Sequence, residues 1–288
     1  MNFKITTKEI YQKQMNIVIE YINNHLHETI DLSKLAEMSH FSLYHFHRIT
    51  KAFLKEPIGS YIIRIRLEKA ARLLRYTDLP ISDIGYKVGY DIPSSFSKAF
   101  KQLYKITPLE FRKNKDYIVE KKDKENIDIL LDIDKPKIVE IPAKKVIYIS
   151  LSGKYSELDF SNTWKRLWKF VKSNKLYSGE IENICIYYDD PKITYLEKLR
   201  TDVCLVILDN VKPQGEIGVK EIKGGKFAKF LYKGSYKYFR DVYNTIYADL
   251  IPANNLLLRD APIFEKYINH PGRVVPEKLK TEIYIPIC

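Results

Sequence analysis

The chain has little of what secreted, membrane or metal-dependent proteins rely on. Its 288 residues include 3 cysteines, Cys185, Cys204 and Cys288. Their spacing fits no metal or redox motif. Each flanks an apolar run, as small buried or terminal thiols do. No apolar run approaches the roughly 18 residues of a membrane span. The start, MNFKITTKEIYQKQMN, is charged and lacks the apolar stretch that directs secretion. The expectation is a cytoplasmic protein with no membrane partner. Catalytic chemistry is sparse too. Of 6 histidines, His25, His27, His40, His45 and His47 lie near the start, and His270 stands alone before Pro271. No nucleophile, base and orienter set, no metal-ligand cluster, no phosphate loop and no Gly-rich dinucleotide turn is visible. The residues predict no metal, no cofactor and no enzyme.

What is present is positive charge, unevenly spread. The net charge is +12, with 45% hydrophobic and 29% charged residues, the balance of a soluble chain of about two domains. Residues 1–115 hold 19 Lys and Arg against 11 Asp and Glu, and residues 116–288 hold 29 against 25. Two-thirds of the excess therefore sits in the first two-fifths of the chain, which points that part at a polyanion.

The texture changes along the chain. Residues 7–115 carry apolar residues at three and four spacing and read as helix throughout. Residues 116–135 open with mixed charge and read as a linker with room for one short helix. From 136 the pattern turns to alternating, β-branched and aromatic stretches such as KIVEIPAKKVIYISLSGKY and GKFAKFLYKGSY, with helical stretches such as SNTWKRLWKFVKSN between them. The expected fold is multidomain: an all-α domain over 1–115, then an α+β domain over 136–288.

Both domains contain an internal repeat. LSKLAEMSHFSLYHFHRITKAF (32–53) matches ISDIGYKVGYDIPSSFSKAFKQ (81–102) at offsets of 49 and 50, with the slip in the turn. Each unit is a short helix, a tight turn and a second helix, and a small residue (Ala36, Gly85) sits where the two would cross. Ser42 in one unit and Asp91 in the other are placed to cap the second helix, and Pro93 suits its first turn. This is helix-turn-helix spacing, in which the second helix enters a DNA major groove. In the first unit Tyr44, His45, His47, Arg48 and Lys51 project away from a Phe46/Ile49/Phe53 stripe. In the second, Ser94, Ser95, Ser97, Lys98 and Lys101 do so. Arg48 has the reach to read a guanine edge, and serines suit bases or phosphates. The segment between the motifs, 59–78, carries the stripe Ile62, Ile65, Leu67, Ala70, Ala71 and Leu74. As roughly 14 helical residues, about 21 Å long, it would hold two reading helices about one DNA turn apart.

These residues resemble the AraC/XylS family of transcription regulators. The Gly-Tyr turn, the Phe-Ser-Lys-x-Phe core and the closing Thr107, Pro108, Phe111 and Arg112 carry the resemblance over about 105 residues. It implies base contacts from Tyr44, His47 and Arg48 on one helix and from Ser94, Ser95 and Lys98 on the other. Pro93 departs from the family, where many members carry a polar residue, so the second helix is expected to read more phosphate than base.

In the second half IPAKKVIYISLSGKY (141–155) matches IKGGKFAKFLYKGSY (222–236), and EKLRTDVCLVI (197–207) matches EKLKTEIYIPI (277–287), at offsets of 80 to 81. The domain therefore reads as duplicated strand-helix-strand-strand units about a pseudo-twofold, with a cleft between helices and strands. Position 185 is Cys in one copy and its partner is Glu265. Asp202 and Glu282 are matched acids. Tyr148, Trp164, Trp168, Tyr187, Tyr188, Tyr236, Tyr267 and Tyr284 lie near them in sequence. An acid inside an aromatic cage would suit a flat cationic ligand. The same spacing also fits core aromatics with acids that keep edge strands soluble. Residues 136–288 resemble the gyrase-inhibitor-like (GyrI-like) ligand-binding domain through IYYDDPKITYLEKLRTDVCLVI and APIFEKYINHP. That resemblance implies a pocket for small, often cationic or amphiphilic molecules. Its carboxylate would be Glu265, its walls Trp164, Trp168, Tyr148, Tyr187 and Tyr267, and its second acid Glu282. Some stand-alone relatives hydrolyse reactive small molecules with a pocket acid, so a hydrolase or drug-sequestering protein is the alternative.

The combined expectation is a promoter-binding regulator, more an activator than a repressor, that senses a small molecule, including a drug. Coupling through a change in domain arrangement and coupling through recruitment of RNA polymerase are both open. Two motifs in one chain make a monomer sufficient for one site, and a weak dimer is compatible.

Overall fold

The computed structural model describes residues 7–114, 117–119, 131–177 and 181–288. Most of the linker expected at 116–135, and any helix within it, lies outside the described residues. Two compact units result: one contains the helices up to residue 113, with the segments Asp190–Tyr195 and Pro213–Gly218, and the other contains the sheet with its own helices.

The helical unit consists of α1 (Thr7–Asn24), α2 (Leu32–Met38), α3 (Leu43–Leu54), α4 (Ile58–Tyr76), α5 (Ile81–Lys87), α6 (Pro93–Tyr104) and α7 (Pro108–Lys113). The two helix-turn-helix motifs are α2–α3 and α5–α6. Helix α4 has 19 residues rather than the expected 14, a length of about 28 Å. The helix starts right after Pro57, one residue before the expected segment, and buried Ile58 and Tyr61 anchor its first turn. The two halves of α4 serve two cores from opposite faces of the helix. Its first half gives Ile58, Tyr61, Ile62 and Ile65 to a core with Met15, Val18, Ile22, Leu35 and Phe46. Its second half gives Leu67, Ala70, Ala71 and Leu74 to a core with Ile84, Phe96, Phe100, Tyr104 and Phe111. Each motif thus packs on its own half of one strut. Phe53, expected in the first stripe, is 38% exposed.

The tight points are where the repeat placed them. A Cβ on Gly85 would lie 3.3 Å from the Phe96 ring, so α5 and α6 cross at van der Waals limit. Gly89 has φ +86° in the turn, and a Cβ there would lie 2.5 Å from the Leu26 carbonyl oxygen. Beside it, Arg66 donates to the Leu26 carbonyl at 2.9 Å. Both reading helices end on a left-handed lysine, Lys55 and Lys105, fifty positions apart.

The other unit contains β1 (Asp132–Ile133), β2 (Lys137–Ile141), β3 (Lys144–Ser152), α8 (Phe160–Ser173), β4 (Asn183–Tyr187), β5 (Arg200–Val206), β6 (Gly218–Ile222), β7 (Gly225–Lys233), α9 (Phe239–Thr245), β8 (Ile263–Tyr267) and β9 (Lys280–Pro286). Strand β1 falls inside the segment read as linker. Among the described residues the strands form one sheet, in the order β1-β7-β9-β8-β4-β5-β3-β6, with β2 also on β7. Its centre is symmetric: β3-β5-β4 of one copy meets β8-β9-β7 of the other through the antiparallel β4–β8 pair. Cys185 lies opposite Glu265 in that pair, with Ile184 opposite Lys266 and Ile186 opposite Phe264. Residues 80 apart therefore exchange places about the Cys185–Glu265 position, where the pseudo-twofold passes. The sequence did not reveal that the first strand of each copy crosses over: β2 pairs with β7, and β6 adjoins β3.

Strand pleating then sorts the side chains. Ile149, Val203, Cys185, Glu265, Ile283 and Phe230 form a row on one face. Helix α9, with the π turn Ile246–Leu250 that continues it, packs there through Val242 and Ile246. Helix α8 brings Trp164 to Tyr267 on the same face. The opposite face buries Tyr148, Ile184, Cys204, Phe264 and Tyr284, with Val139 and Ile222 of the crossing strands packed against them.

Candidate functional site

The first candidate site is the outer face of the reading helices. In α3 the buried Phe46 and Thr50 turn Tyr44, His45, His47, Arg48 and Lys51 outward, and all five are exposed. Ser42 caps this helix, accepting from the His45 amide at 3.4 Å. Arg48 donates to the Tyr44 hydroxyl at 3.3 Å, and its guanidinium lies 5.6 Å from the Tyr44 ring centre. A planar donor fork preset on an aromatic face loses little freedom on meeting a base edge. In α6 the buried Phe96 and Phe100 expose Ser94, Ser95, Lys98 and Lys101, while Ser97 is half-buried. Asp91 does not cap this helix, contrary to expectation. The N-cap is Ile92, which offers no side-chain acceptor, and Pro93 removes one amide that would need one.

The second candidate site lies on the pseudo-twofold. Glu265 is 1% exposed. The Tyr243 hydroxyl donates to its Oε1 at 2.7 Å and the Tyr267 hydroxyl to its Oε2 at 2.6 Å. The Tyr187 hydroxyl lies 3.1 Å from that of Tyr267. Burial pushes the Glu265 carboxyl up to about 7, and the hydroxyls of Tyr267, Tyr243 and Tyr187 keep it from rising further. Burial and this carboxylate also hold the three tyrosines well above their ordinary range, so they remain donors. Further rings surround them in symmetric pairs: Tyr155 packs edge-on against Tyr187 at 5.1 Å, and Tyr236 against Tyr267 at 5.6 Å. Trp164 closes one side, 6.2 Å from Tyr267. Cys185, fully buried opposite Glu265, has its thiol pushed well above the usual range by burial and by Glu265, so it is no activated nucleophile.

Of the residues expected here, the structure brings together Glu265, Tyr187, Tyr267 and Trp164. Trp168 is 37% exposed and donates to Asn183 at 3.2 Å, at the far end of β4. Tyr148 and Glu282 stand on the opposite face, because their strand positions are out of phase with Glu265. Glu282 accepts from Lys229 and Tyr284, each at 2.8 Å. Partial burial would raise its carboxyl, but the Lys229 ammonium and the Tyr284 hydroxyl hold it below the ordinary value. Tyr148 belongs to a different cage. There the ammonium of Lys220 pairs with Asp202 and donates to the Tyr188 hydroxyl, which in turn donates to Asp202; the ammonium lies 4.1 Å from the Tyr148 ring centre and 5.0 Å from that of Tyr188. An acid within aromatics does exist on that face, and the chain's own lysine fills it.

Sequence reasoning missed Tyr243. It follows buried Val242 in α9 as Trp164 follows buried Thr163 in α8. The offset there is 79, where the strands match at 80 to 81, so the repeat gave no signal. Among the described residues no group of three or more His, Cys, Asp or Glu gathers as a metal site, and no helix is long and apolar enough to cross a membrane.

Comparison with known proteins agrees with this division. A family described as GyrI-like small molecule binding domain matches residues 134–287, and a helix-turn-helix domain matches residues 35–114. Regulatory protein SoxS of Salmonella typhimurium is 30% identical over 102 residues, covering 35% of this chain and 95% of that protein. An uncharacterized HTH-type transcriptional regulator, YbfP of Bacillus subtilis, is 36% identical over 102 residues, 35% of each chain. The F1 operon positive regulatory protein of Yersinia pestis is 27% identical over 256 residues, 86% of this chain and 81% of that one. The match thus spans about a third of YbfP but nearly all of SoxS. The chain belongs to the AraC family of DNA-binding transcription regulators and carries a GyrI-like small-molecule-binding domain.

Proposed function

We propose that this chain is a ligand-responsive transcription activator of promoter DNA, acting in the cytoplasm, whose effector is a flat, lipophilic monocation bound at Glu265. The observation that carries the reading is the single buried carboxylate on the pseudo-twofold, ringed by tyrosine hydroxyls and aromatic faces. One acid matches one positive charge, and rings on both sides of the axis supply cation–π and stacking surface. The copy-related position is the neutral Cys185, so the site is built for one charge and not two. Activation is supported by the likeness to a positive regulatory protein along most of the chain. Hydrolysis by Glu265 is not favoured, since both its oxygens are engaged by tyrosines. We place the DNA-binding domain at 1–115, the linker at 116–135 and the effector domain at 136–288, with a monomer sufficient for one operator and RNA polymerase as the activator's partner.

On α3, Arg48 reads a base edge with Tyr44 and His47 beside it, while His45 and Lys51 line the groove. On α6, Ser94, Ser95 and Ser97 lie close to the groove wall and Lys98 and Lys101 meet phosphates. In the effector site Tyr187, Tyr243, Tyr267 and Trp164 contact the ligand. The test is a titration with the flat cation N-methylquinolinium against neutral quinoline at pH 8, read by isothermal titration calorimetry. The cation is expected to bind and the neutral probe not to. Equal binding, or cation binding undiminished by Glu265→Gln, would defeat the assignment.

A further inference from the structure

The two reading helices are repeats, yet they begin differently. Ser42 caps α3 with its hydroxyl, and fifty positions on the N-cap of α6 is Ile92. Isoleucine is among the least favourable N-cap residues, because it has no acceptor for the free amides of the first turn. Burial does not compensate for it here. Ile92 is 58% exposed and belongs to neither hydrophobic core of the helical unit. Its neighbours Pro93, Ser94 and Ser95 are exposed as well, on the face that continues to Lys98 and Lys101. Nothing within the fold therefore accounts for a large β-branched side chain at this position.

We infer that Ile92 is a specificity-determining residue that packs against the C5-methyl group of a thymine in the half-site read by α6. The inference rests on the DNA-binding reading above. Residues at the start of a recognition helix meet base edges, and an apolar side chain in the major groove has one apolar partner there, the thymine methyl. Serines and lysines cannot distinguish thymine from cytosine through that methyl, and Ile92 can. The second helix thus reads sequence through shape and apolar contact where the first reads it through Arg48.

Deoxyuridine tests this, because it differs from thymidine only by the methyl. The full-length protein first selects its preferred duplex from random-sequence DNA. Each thymine of that duplex is then replaced singly by deoxyuridine, and wild type and Ile92→Ser are compared by fluorescence anisotropy. One or two replacements within a single half-site should weaken wild type about fourfold, the value of one buried methyl. Ile92→Ser should bind the thymine duplex about fourfold more weakly and show no further loss at those replacements. It should also melt at a higher temperature than wild type, since serine restores the cap. Wild type indifferent to every replacement would overturn the inference. So would a variant that keeps the penalty, or one that melts lower, which would give Ile92 a packing role. Selection that enriches no sequence at all would instead refute the DNA-binding reading on which the inference stands.

Discussion

Replacing Glu265 by glutamine should remove a pH dependence that this one residue creates. Burial raises the Glu265 carboxyl from its ordinary value of 4.5 to about 7 in the folded protein. Below pH 4.5 it is protonated in both folded and unfolded chains and makes no difference. Between about 4.5 and 7 the unfolded chain has released the proton and the folded one retains it. The folded state binds more protons, so stability falls as pH rises through this window and levels off above 7. At about 1.4 kcal/mol per unit, the loss amounts to about 3 kcal/mol. Glu265→Gln keeps the size, and each tyrosine hydroxyl can turn to donate or accept. The variant should therefore match wild type near pH 4.5 and exceed it by about 3 kcal/mol at pH 8. Urea unfolding followed by tryptophan fluorescence reads this unit alone, because both tryptophans, Trp164 and Trp168, lie in α8. Stability curves that run parallel across this range would refute the buried-acid argument. The same linkage gives the ligand a signature. A monocation favours the carboxylate, so its binding should release close to one proton at pH 6 and strengthen as pH rises towards 7. A neutral ligand should do neither.

Other substitutions test separate parts of the structure. Lys220→Met leaves Asp202 buried without its cation, and should cost about 3–5 kcal/mol in the same unfolding assay. Arg48→Ala should weaken binding to the selected duplex about tenfold or more while leaving random DNA almost unchanged; equal losses would remove it from base reading. Lys101→Ala should weaken every duplex alike and reduce the salt slope by about one. Gly89→Ala, at φ +86° and against the Leu26 carbonyl, should lower the stability of the helical unit by about 1–3 kcal/mol, read by far-ultraviolet circular dichroism. An unchanged melt would mean that the turn relaxes.

The helical unit was legible because its signals are local. Phe46 and Phe96, Ala36 and Gly85, and the exposed lysines recur at fixed offsets, and helical spacing alone says which residues point inward. Asp91 has the chemistry of a cap but lies one position too early, because Pro93 at the first helical position makes Ile92 the N-cap. In the sheet, the repeat paired position 185 with 265 and 187 with 267, and the fold places those pairs together on the axis. Tyr148 and Glu282 failed for a non-local reason: which face a strand residue takes depends on the phase of its neighbours across the register, and a one-residue difference moves it to the other side. The crossing of β2 and β6 was invisible for the same reason, since nothing in either strand names its partner. Tyr243 was hidden because its helix is out of register with the repeat, 79 positions from Trp164 where the strands match at 80 to 81.

The most direct test of the account is binding of the full-length protein to its own upstream DNA and to a scrambled fragment, by fluorescence anisotropy across a salt series. The account predicts that the upstream fragment binds at least about a hundredfold tighter at physiological salt, with a preference that survives as salt rises. Equal binding to both fragments, collapsing steeply with salt, would mean that α3 and α6 contribute only charge, and would contradict it.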